Sequence, residues 1–318
     1  MKKFLLLFKK VGGMEILRRY YRANVLVFAL IETLILGFSK KSLEILRLAV
    51  NNKVLGKIRK QYKGFIQDYL LNAKEEKLSR VKSDKVWVCW FQGMESAPSI
   101  VQYCFKSLKE NLKGKEIILI TEQNYREYIE FPDIIQAKID SGIIPATQKS
   151  DLIRLELLIK YGGTWIDSTV YCSGHDYPEY IMDSELFLFQ NLKPGLDGHC
   201  TCISSWFITS CTNHPILLLT RALLFDYWKN NDKLIDYFIF HNFFQLAIES
   251  YPDEWSKVVP FSNAVPHILL LRLFENYDKD IWDAVKSMTC FHKLTYKFTK
   301  EDEKTIGTYY DCIVKERL

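Results

Sequence analysis

The stretch SDLIRLELLIKYGGTWIDST, residues 150–169, carries the pattern that decides the fold. Its first half is nearly all apolar and predicts a buried helix over residues 148–161. Gly162 and Gly163 end this helix, because glycine adopts the left-handed backbone that closes a helix C-terminus. A short strand is predicted over residues 164–166, with an aspartate directly after it. A helix, a glycine turn and a strand that ends in a carboxylate together predict a ligand site.

Two charged side chains lie one turn apart on this otherwise apolar helix. Asp151 and Arg154 are three residues apart and therefore share a helix face. Charged groups on a buried helix need partners, so one interpretation is a structural ion pair at the helix N-terminus. The other is a ligand site, which the glycine pair and Asp167 favour. In that interpretation the bare glycines let a nucleotide approach, Trp165 lies on the strand, and Asp167 takes a hard cation.

Strands and helices alternate along the rest of the chain. Apolar runs bounded by turn residues predict four further strands, at residues 86–91, 116–120, 186–189 and 203–208. Helical periodicity predicts helices at residues 98–112, 134–141, 214–229, 234–250 and 266–274. This alternation is typical of an α/β fold with a largely parallel sheet. Such sheets bind ligands at the carboxyl ends of their strands, where Asp167 is predicted to lie.

Positive charge is concentrated in the N-terminal part of the chain. Residues 1–82 hold 19 Lys and Arg against 6 Asp and Glu, whereas the remainder has a net charge of −8, which leaves +5 for all 318 residues. Apolar positions recur every three or four residues through 16–38 and 43–71, which predicts helices. We therefore expect a basic helical N-terminal arm over residues 1–82 and a second domain over residues 83–318.

A basic arm with apolar helix faces suits an anionic membrane surface, where each basic residue contributes about 1 kcal/mol. The predicted partner of residues 1–71 is therefore the inner face of the plasma membrane, with peripheral attachment. The alternative is a helical subdomain that packs on the body and exposes a solvated basic face. The arm lacks a motif that reads nucleic acid, so no nucleic-acid partner is expected. The start, MKKFLLLFKK, lacks a cleavage site, and the apolar run at 25–38 is shorter than the roughly 20 residues that cross a bilayer.

The eight cysteines are scattered, and none forms a Cys-x-x-Cys pair. This spacing argues against zinc-finger sites and favours free thiols in a reducing cytoplasm. The sequence also lacks the P-loop motif, the Gly-x-Ser-x-Gly elbow and the His-Glu-x-x-His motif. The run GLDG at residues 195–198 predicts a turn and not a phosphate loop.

The central stretch resembles a known family. Its Ser-Asp-x-x-Arg and Tyr-Gly-Gly-x-Trp-x-Asp elements are similar to those of the bacterial capsular polysaccharide synthesis proteins. These are relatives of the Asp-x-Asp sugar transferases, which include yeast mannosyltransferases and the large clostridial glucosylating toxins. The resemblance extends over roughly residues 85–300 through three further stretches: VWVCWFQGMESAP at 86–98, SSWFITS at 204–210 and YWKNNDKLIDYFIFH at 227–241.

The resemblance implies a GT-A fold, a nucleotide-diphosphate-sugar donor, most often a UDP-sugar, and usually Mn²⁺ or Mg²⁺. Gln92 and Gly93 would then border the nucleotide, after the first strand. Asp151 and Arg154 would hold ribose or donor-sugar hydroxyls. Asp167 matches the first acid of the Asp-x-Asp motif.

The chain departs from the motif at its second acid, which is replaced by Thr169. A metal would then rest on Asp167, with the Thr169 hydroxyl and with His241 as the distant partner. The alternative for His241 is a partly buried histidine without a ligand. Asp236 would be a late acid that contacts acceptor or donor sugar, or else a surface acid on an amphipathic helix.

Two further residues complete the implied site. Trp206 in SSWFITS would line the sugar pocket, because a flat aromatic face suits a pyranose; the alternative is an ordinary core aromatic. Lys293, in the run HKLT, would contact the diphosphate.

The leading hypothesis is a glycosyltransferase that adds a sugar to a lipid-linked glycan, with retention of anomeric configuration. The first alternative is a degenerate family member that acts as a membrane-associated scaffold in polysaccharide assembly, because the second acid is missing. The second alternative is a glycosyl-phosphate transferase on the same fold.

Overall fold

The computed structural model describes residues 13–73, 78–192 and 199–315. The leader-like start and the GLDG turn predicted at residues 195–198 lie outside the described residues. All eight cysteines lie inside them and are free thiols, in agreement with the sequence analysis.

Three helices form the N-terminal part: α1 (Gly13–Arg22), α2 (Leu26–Leu36) and α3 (Lys40–Ala73). Asn24 and Gly37 separate them, and both have a left-handed backbone with φ of 56° and 80°. Helix α3 is 34 residues long. Within the described part of the chain, no helix has both the length and the apolar character needed to cross a membrane.

A five-stranded sheet forms the centre of the molecule. Its strands are β1 (Lys85–Cys89), β2 (Glu116–Ile120), β3 (Gly163–Ile166), β5 (Leu186–Gln190) and β6 (Ile203–Ser210). Their order is β2-β1-β3-β6-β5, with β2, β1 and β3 parallel and β6 antiparallel to both of its neighbours. Four of the five strands therefore run in one direction, which confirms the predicted α/β class with a mostly parallel sheet. Strands β4 (Val170–Cys172) and β7 (Phe291–Lys293) form a separate antiparallel pair.

Helices surround the sheet. They are α4 (Ser99–Asn111), α5 (Tyr125–Tyr128), α6 (Asp133–Asp140), α7 (Ala146–Tyr161), α8 (Tyr180–Asp183), α9 (Pro215–Asn230), α10 (Ile239–Ser250), α11 (Pro252–Trp255), α12 (Ile268–Arg272), α13 (Lys279–Met288) and α14 (Lys300–Lys304). Short 3₁₀ turns at Met94–Ser96 and Val265–His267 and a π-helical turn at Tyr310–Val314 complete the described structure.

Two of the predicted helices are wrong in extent. The helix expected from residue 234 begins only at Ile239, because the carboxylate of Asp236 accepts a hydrogen bond from the backbone N–H of Phe238 at 3.0 Å. A short polar side chain that bonds its own backbone competes with the helix. The helix expected over residues 266–274 is a 3₁₀ turn followed by the five-residue α12, and the His267 ring bonds the carbonyl of Asn263 at 2.7 Å.

Helix α3 shares the hydrophobic core of the body. Ile58 and Tyr62 are buried in the same cluster as the apolar faces of α7, α9 and α10. The ring of Tyr62 lies 4.9 Å from that of Phe243 on α10. Arg59 donates two hydrogen bonds to Glu249 at 2.8 and 2.7 Å. The N-terminal helices thus pack on the body, while the domain boundary at residue 82 stays a prediction.

The glycine pair fixes the spacing between α7, β1 and β3. Gly162 ends α7 with φ of 67°, and its carbonyl accepts the indole N–H of Trp87 at 2.9 Å. A Cβ on Gly163 would overlap the carbonyl oxygen of Lys85 on β1. Both glycines therefore face protein backbone at the amino end of β3. The predicted approach of a nucleotide to this pair is wrong, because the space beside it is already filled.

Gly163→Ala should destabilise the fold more than Gly114→Ala does. The two residues have similar φ angles of 91° and 83°, but no atom of the described part of the chain lies within 4 Å of a Cβ on Gly114. A left-handed alanine costs about 1–2 kcal/mol at either site, and overpacking against β1 adds about 1–3 kcal/mol at Gly163. Urea unfolding of both variants measures the difference. Equal losses would show that the contact with Lys85 relaxes without cost.

Candidate active site

A large cleft opens at the carboxyl edge of the parallel strands. Its volume is about 1390 Å³, above the range of roughly 300–1,000 Å³ typical of small-ligand pockets. The cleft is lined by Cys89 and Gln92 after β1, by Asp167 after β3, by Asp151 on α7 and by Trp206 on β6. It therefore lies where open α/β sheets bind their ligands.

An acid–arginine–acid network occupies the floor of this cleft. Arg154 donates to Asp151 at 2.6 Å and to Asp167 at 3.3 Å, and its side chain is buried. The indole N–H of Trp165 also donates to Asp167, at 3.0 Å. The Arg154 guanidinium lies 4.7 Å from the ring centre of Trp165 and 5.4 Å from that of Phe240. Asp151 and Arg154 thus form the ion pair of the first interpretation, and this pair is also bonded to Asp167, as the ligand-site interpretation requires.

Burial and charge shift the two carboxylates in opposite directions. Burial raises the pKa of Asp151 to about 6 even though Arg154 lowers it, and the charge of Asp167 adds to the rise. Burial alone would also raise the pKa of Asp167, but the charges of Lys293 and Arg154 hold it below its ordinary value. Asp167 is therefore an ionised carboxylate at neutral pH.

Lys293 reaches Asp167 from the second sheet. Its ammonium lies 2.9 Å from Oδ2 of Asp167 and 2.6 Å from the hydroxyl of Thr169. Strand pairing sets this geometry, because Lys293 on β7 lies opposite Val170 on β4. The backbone N–H of Leu294 also donates to the Thr169 carbonyl at 2.8 Å. The residue at the second acid position is thus a partner of Lys293.

Trp206 borders the cleft but is only 5% exposed and belongs to a core cluster, so its place in a sugar pocket stays a prediction. Its ring stacks on Phe189 at 4.6 Å with an angle of 13° between the planes, and its indole N–H donates to Asn263 at 2.8 Å. One face is thus held by the core and the orientation of the ring is fixed.

Asp236 and His241 also line the cleft. Asp236 is nearly buried, so the interpretation as a surface acid is wrong, and it accepts a second hydrogen bond from Asn242 at 2.8 Å. Burial raises the pKa of Asp236. Burial and the nearby charge of Arg154 lower the pKa of His241 to about 3, so its imidazole is neutral at pH 7. Nδ1 of His241 is buried and has no hydrogen-bond partner among the residues that the structure describes.

The donor set fits a divalent metal poorly. Mg²⁺ and Mn²⁺ prefer several oxygen ligands, with carboxylates among them. Asp167 is one carboxylate whose oxygens already accept hydrogen bonds from Trp165, Arg154 and Lys293. Within residues 13–73, 78–192 and 199–315, no three His, Cys, Asp or Glu side chains form a group that could hold a metal ion.

The remaining residues predicted for the site differ in whether they are open to the cleft. Gln92 lines the cleft, whereas Gly93 forms the turn after β1, where its N–H donates to the Trp90 carbonyl at 3.0 Å. Trp165 is only 1% exposed, so it supports Asp167 and Arg154 and offers no open face to a sugar.

The sequence analysis did not identify one wall of the cleft. The first turns of α3 line it with Lys41, Glu44, Arg47, Leu48 and Asn51. Four of these five residues are polar, so the apolar periodicity noted for residues 43–71 does not mark them. That periodicity predicts a shared face but not the surface that the face meets.

Arg154→Met should cost about 1–3 kcal/mol of unfolding free energy, because Asp151 and Asp167, whose side chains are 15% and 30% exposed, lose a charged hydrogen-bond partner. The difference in unfolding free energy between this variant and the wild type should shrink as the pH falls from about 8 to about 5. Without Arg154 the pKa values of Asp151 and Asp167 rise, so the folded variant takes up protons as the pH falls and gains stability relative to the wild type. Arg59→Met removes an exposed pair and should cost under about 1 kcal/mol. A pH-independent loss in urea unfolding of Arg154→Met would contradict the network.

Two solved structures resemble this fold at low sequence identity. The PaToxG glycosyltransferase is 13% identical, with a TM-score of 0.38 over 85% of this chain and 98% of its own. A transferase with two cysteine-to-serine substitutions is 11% identical, with a TM-score of 0.37 over 60% of this chain and 96% of its own. No curated protein matches the sequence.

A family match covers most of the chain. It runs over residues 36–313, from the end of α2 to the π-helical turn, and includes every residue of the acid–arginine network together with Lys293. The match confirms the resemblance drawn from the central motif and agrees with the predicted class of enzyme. This chain belongs to the capsular polysaccharide synthesis protein family.

Proposed function

We propose that this protein is a glycosyltransferase that moves a sugar from a nucleotide-diphosphate donor to a glycan acceptor. The observation that carries the proposal is the network of Asp151, Arg154 and Asp167 on the floor of the cleft, in a protein of capsular polysaccharide synthesis. Two carboxylates held beside one buried arginine offer fixed acceptors for sugar hydroxyls. The sheet with its ligand edge suits the GT-A architecture that the family resemblance implies.

The donor, in this proposal, is a UDP-sugar. Gln92 borders the nucleotide, while Asp151 and Asp167 accept hydrogen bonds from ribose or sugar hydroxyls. Within the described residues no hydrogen bond reaches Oδ2 of Asp151, although that residue lines the cleft. Catalysis rests on holding donor and acceptor in register and on stabilising the departing diphosphate. Retention of anomeric configuration is part of the proposal on the family resemblance alone.

Asp167→Asn should abolish sugar transfer. The substitution keeps the shape of the side chain but removes the charge that holds Arg154 and Lys293. The assay measures nucleoside diphosphate released from UDP-, GDP-, CDP- and TDP-sugars, and Asp283→Asn serves as the control because it removes an acid from an exposed ion pair. Unchanged release in the Asp167 variant would remove the central claim.

A thermal-shift panel of UDP, GDP, CDP and TDP separates this function from a non-catalytic scaffold. A ligand at a hundredfold excess over its Kd stabilises the native state by about 2.7 kcal/mol. We expect one nucleotide to raise the melting temperature of the wild type. If none does, the scaffold hypothesis is favoured over the enzyme.

We further propose that the surface of α2 docks on an anionic membrane at the inner face of the plasma membrane. Val27, Leu30, Ile31, Leu34 and Ile35 are exposed on this helix. This helix lies in residues 1–82, which contain 19 basic residues. An apolar helix surface with basic residues nearby suits the headgroup boundary of an anionic bilayer. Because α3 follows α2 and lines the cleft, a lipid-linked acceptor at that membrane would lie near the site.

Leu34→Asp should weaken membrane binding, whereas Ile306→Asp should not. The two side chains are 77% and 78% exposed, and only the first lies on α2. Burial of one large apolar side chain contributes about 1.5–3 kcal/mol, so we expect at least a tenfold loss of partitioning. Co-sedimentation with vesicles of anionic and of neutral lipid measures it. Equal binding of both variants would overturn the docking surface.

A further inference from the structure

The side chain of Lys293 bonds both Asp167 and Thr169, the two residues at the acid positions of the motif. Its ammonium bonds the carboxylate of Asp167 at 2.9 Å and the hydroxyl of Thr169 at 2.6 Å. In an Asp-x-Asp motif these two positions are acids. Here the second acid is a neutral threonine, and a cation from the chain itself lies between the two side chains.

The position of this cation is fixed by the fold. Strand β7 pairs with β4 so that Phe291 lies opposite Cys172 and Lys293 opposite Val170. Phe291 is fully buried, which holds the strand against the core, whereas the Lys293 side chain keeps 18% of its surface exposed and lines the cleft. The ammonium is therefore anchored on one side and reachable by a ligand on the other.

One of the three ammonium hydrogens remains available. A lysine ammonium donates up to three hydrogen bonds, and in the described part of the chain Lys293 makes two, to Asp167 and Thr169. The third donor has no acceptor among the described residues. A phosphate oxygen in the cleft would satisfy it with a charge-assisted hydrogen bond.

The charges at the site are already balanced. Asp151 and Asp167 carry two negative charges, and Arg154 and Lys293 carry two positive charges. A divalent cation beside Asp167 would face both cations, and within the described residues no group of three His, Cys, Asp or Glu side chains could hold it. A diphosphate brings negative charge of its own and meets a fixed cation.

We propose that Lys293 stabilises the departing diphosphate in place of a divalent metal, so that transfer by this protein is independent of metal. This proposal rests on the proposed glycosyltransferase function. The acceptor oxygen forms the new bond to the anomeric carbon, and the electron pair of the broken bond stays on the β-phosphate oxygen. Lys293 keeps its proton and donates a hydrogen bond to that oxygen. The proton of the acceptor hydroxyl leaves to the released diphosphate or to water.

The test uses the full chain after treatment with EDTA. Nucleoside diphosphate release from the sugar-nucleotide panel is measured without metal and with added Mg²⁺ or Mn²⁺. We expect rates within about twofold of each other, because a protein cation needs no exchangeable ion. Activity that EDTA removes and that metal restores would overturn the inference and leave the glycosyltransferase function intact. If the protein neither releases nucleoside diphosphate nor binds a nucleotide, both the role of Lys293 and the glycosyltransferase function are overturned.

The second part of the test is the variant Lys293→Met. We expect kcat to fall by about 100- to 1000-fold, the loss typical of one donor to a developing oxyanion, and calorimetry in EDTA should show weaker binding of the nucleoside diphosphate. Lys279→Met removes an exposed amine and should change neither quantity. Lys293→Arg keeps the cation, so it should retain more activity than Lys293→Met at a similar melting temperature. Equal activity of the Met and Arg variants would contradict a role for the charge.

Discussion

The carboxylate of Asp167 is the group on which the site depends. It lies where β3 ends, and it accepts hydrogen bonds from α7, from β3 and from β7 through Arg154, Trp165 and Lys293. The side chain of Asp167 is only 30% exposed, and its charge is stabilised by these partners, so it ties three elements together at one point. The same contacts that satisfy the charge also hold Arg154 and Lys293 at the cleft.

The sequence predicted much of the fold, because buried strands and the amphipathic helices of the body have local patterns. All five strands of the main sheet were expected near their observed positions, and Asp151, Arg154 and Asp167 were expected to act together. The family resemblance named Lys293 as a site residue, but its contacts with Asp167 and Thr169 were not predictable, since they join residues 126 and 124 positions apart. No local pattern indicates which strand of a separate pair will reach a given carboxylate.

The N-terminal helices illustrate a different limit. Their charge and periodicity predicted helices but left two interpretations open, a membrane-facing arm and a packed subdomain. In the structure α3 contributes Ile58 and Tyr62 to the core and lines the cleft with its first turns. Composition describes which faces are apolar and which are charged, whereas the surface that each face meets depends on the tertiary arrangement. The exposed face of α2 and the buried face of α3 have similar compositions and different environments.

The close contact of Gly163 with β1 restricts the register in which β3 can pair with β1. Side chains on a strand alternate between faces, so a shift of one residue would replace Asp167 with Ser168 at the cleft. Only a residue without a Cβ fits beside the Lys85 carbonyl, and β3 has a single such position because Thr164 follows. The slip that puts Ser168 in the place of Asp167 would bring the side chain of Thr164 into that space. The amino end of a four-residue strand therefore blocks the slip that would replace Asp167 at its carboxyl end with Ser168.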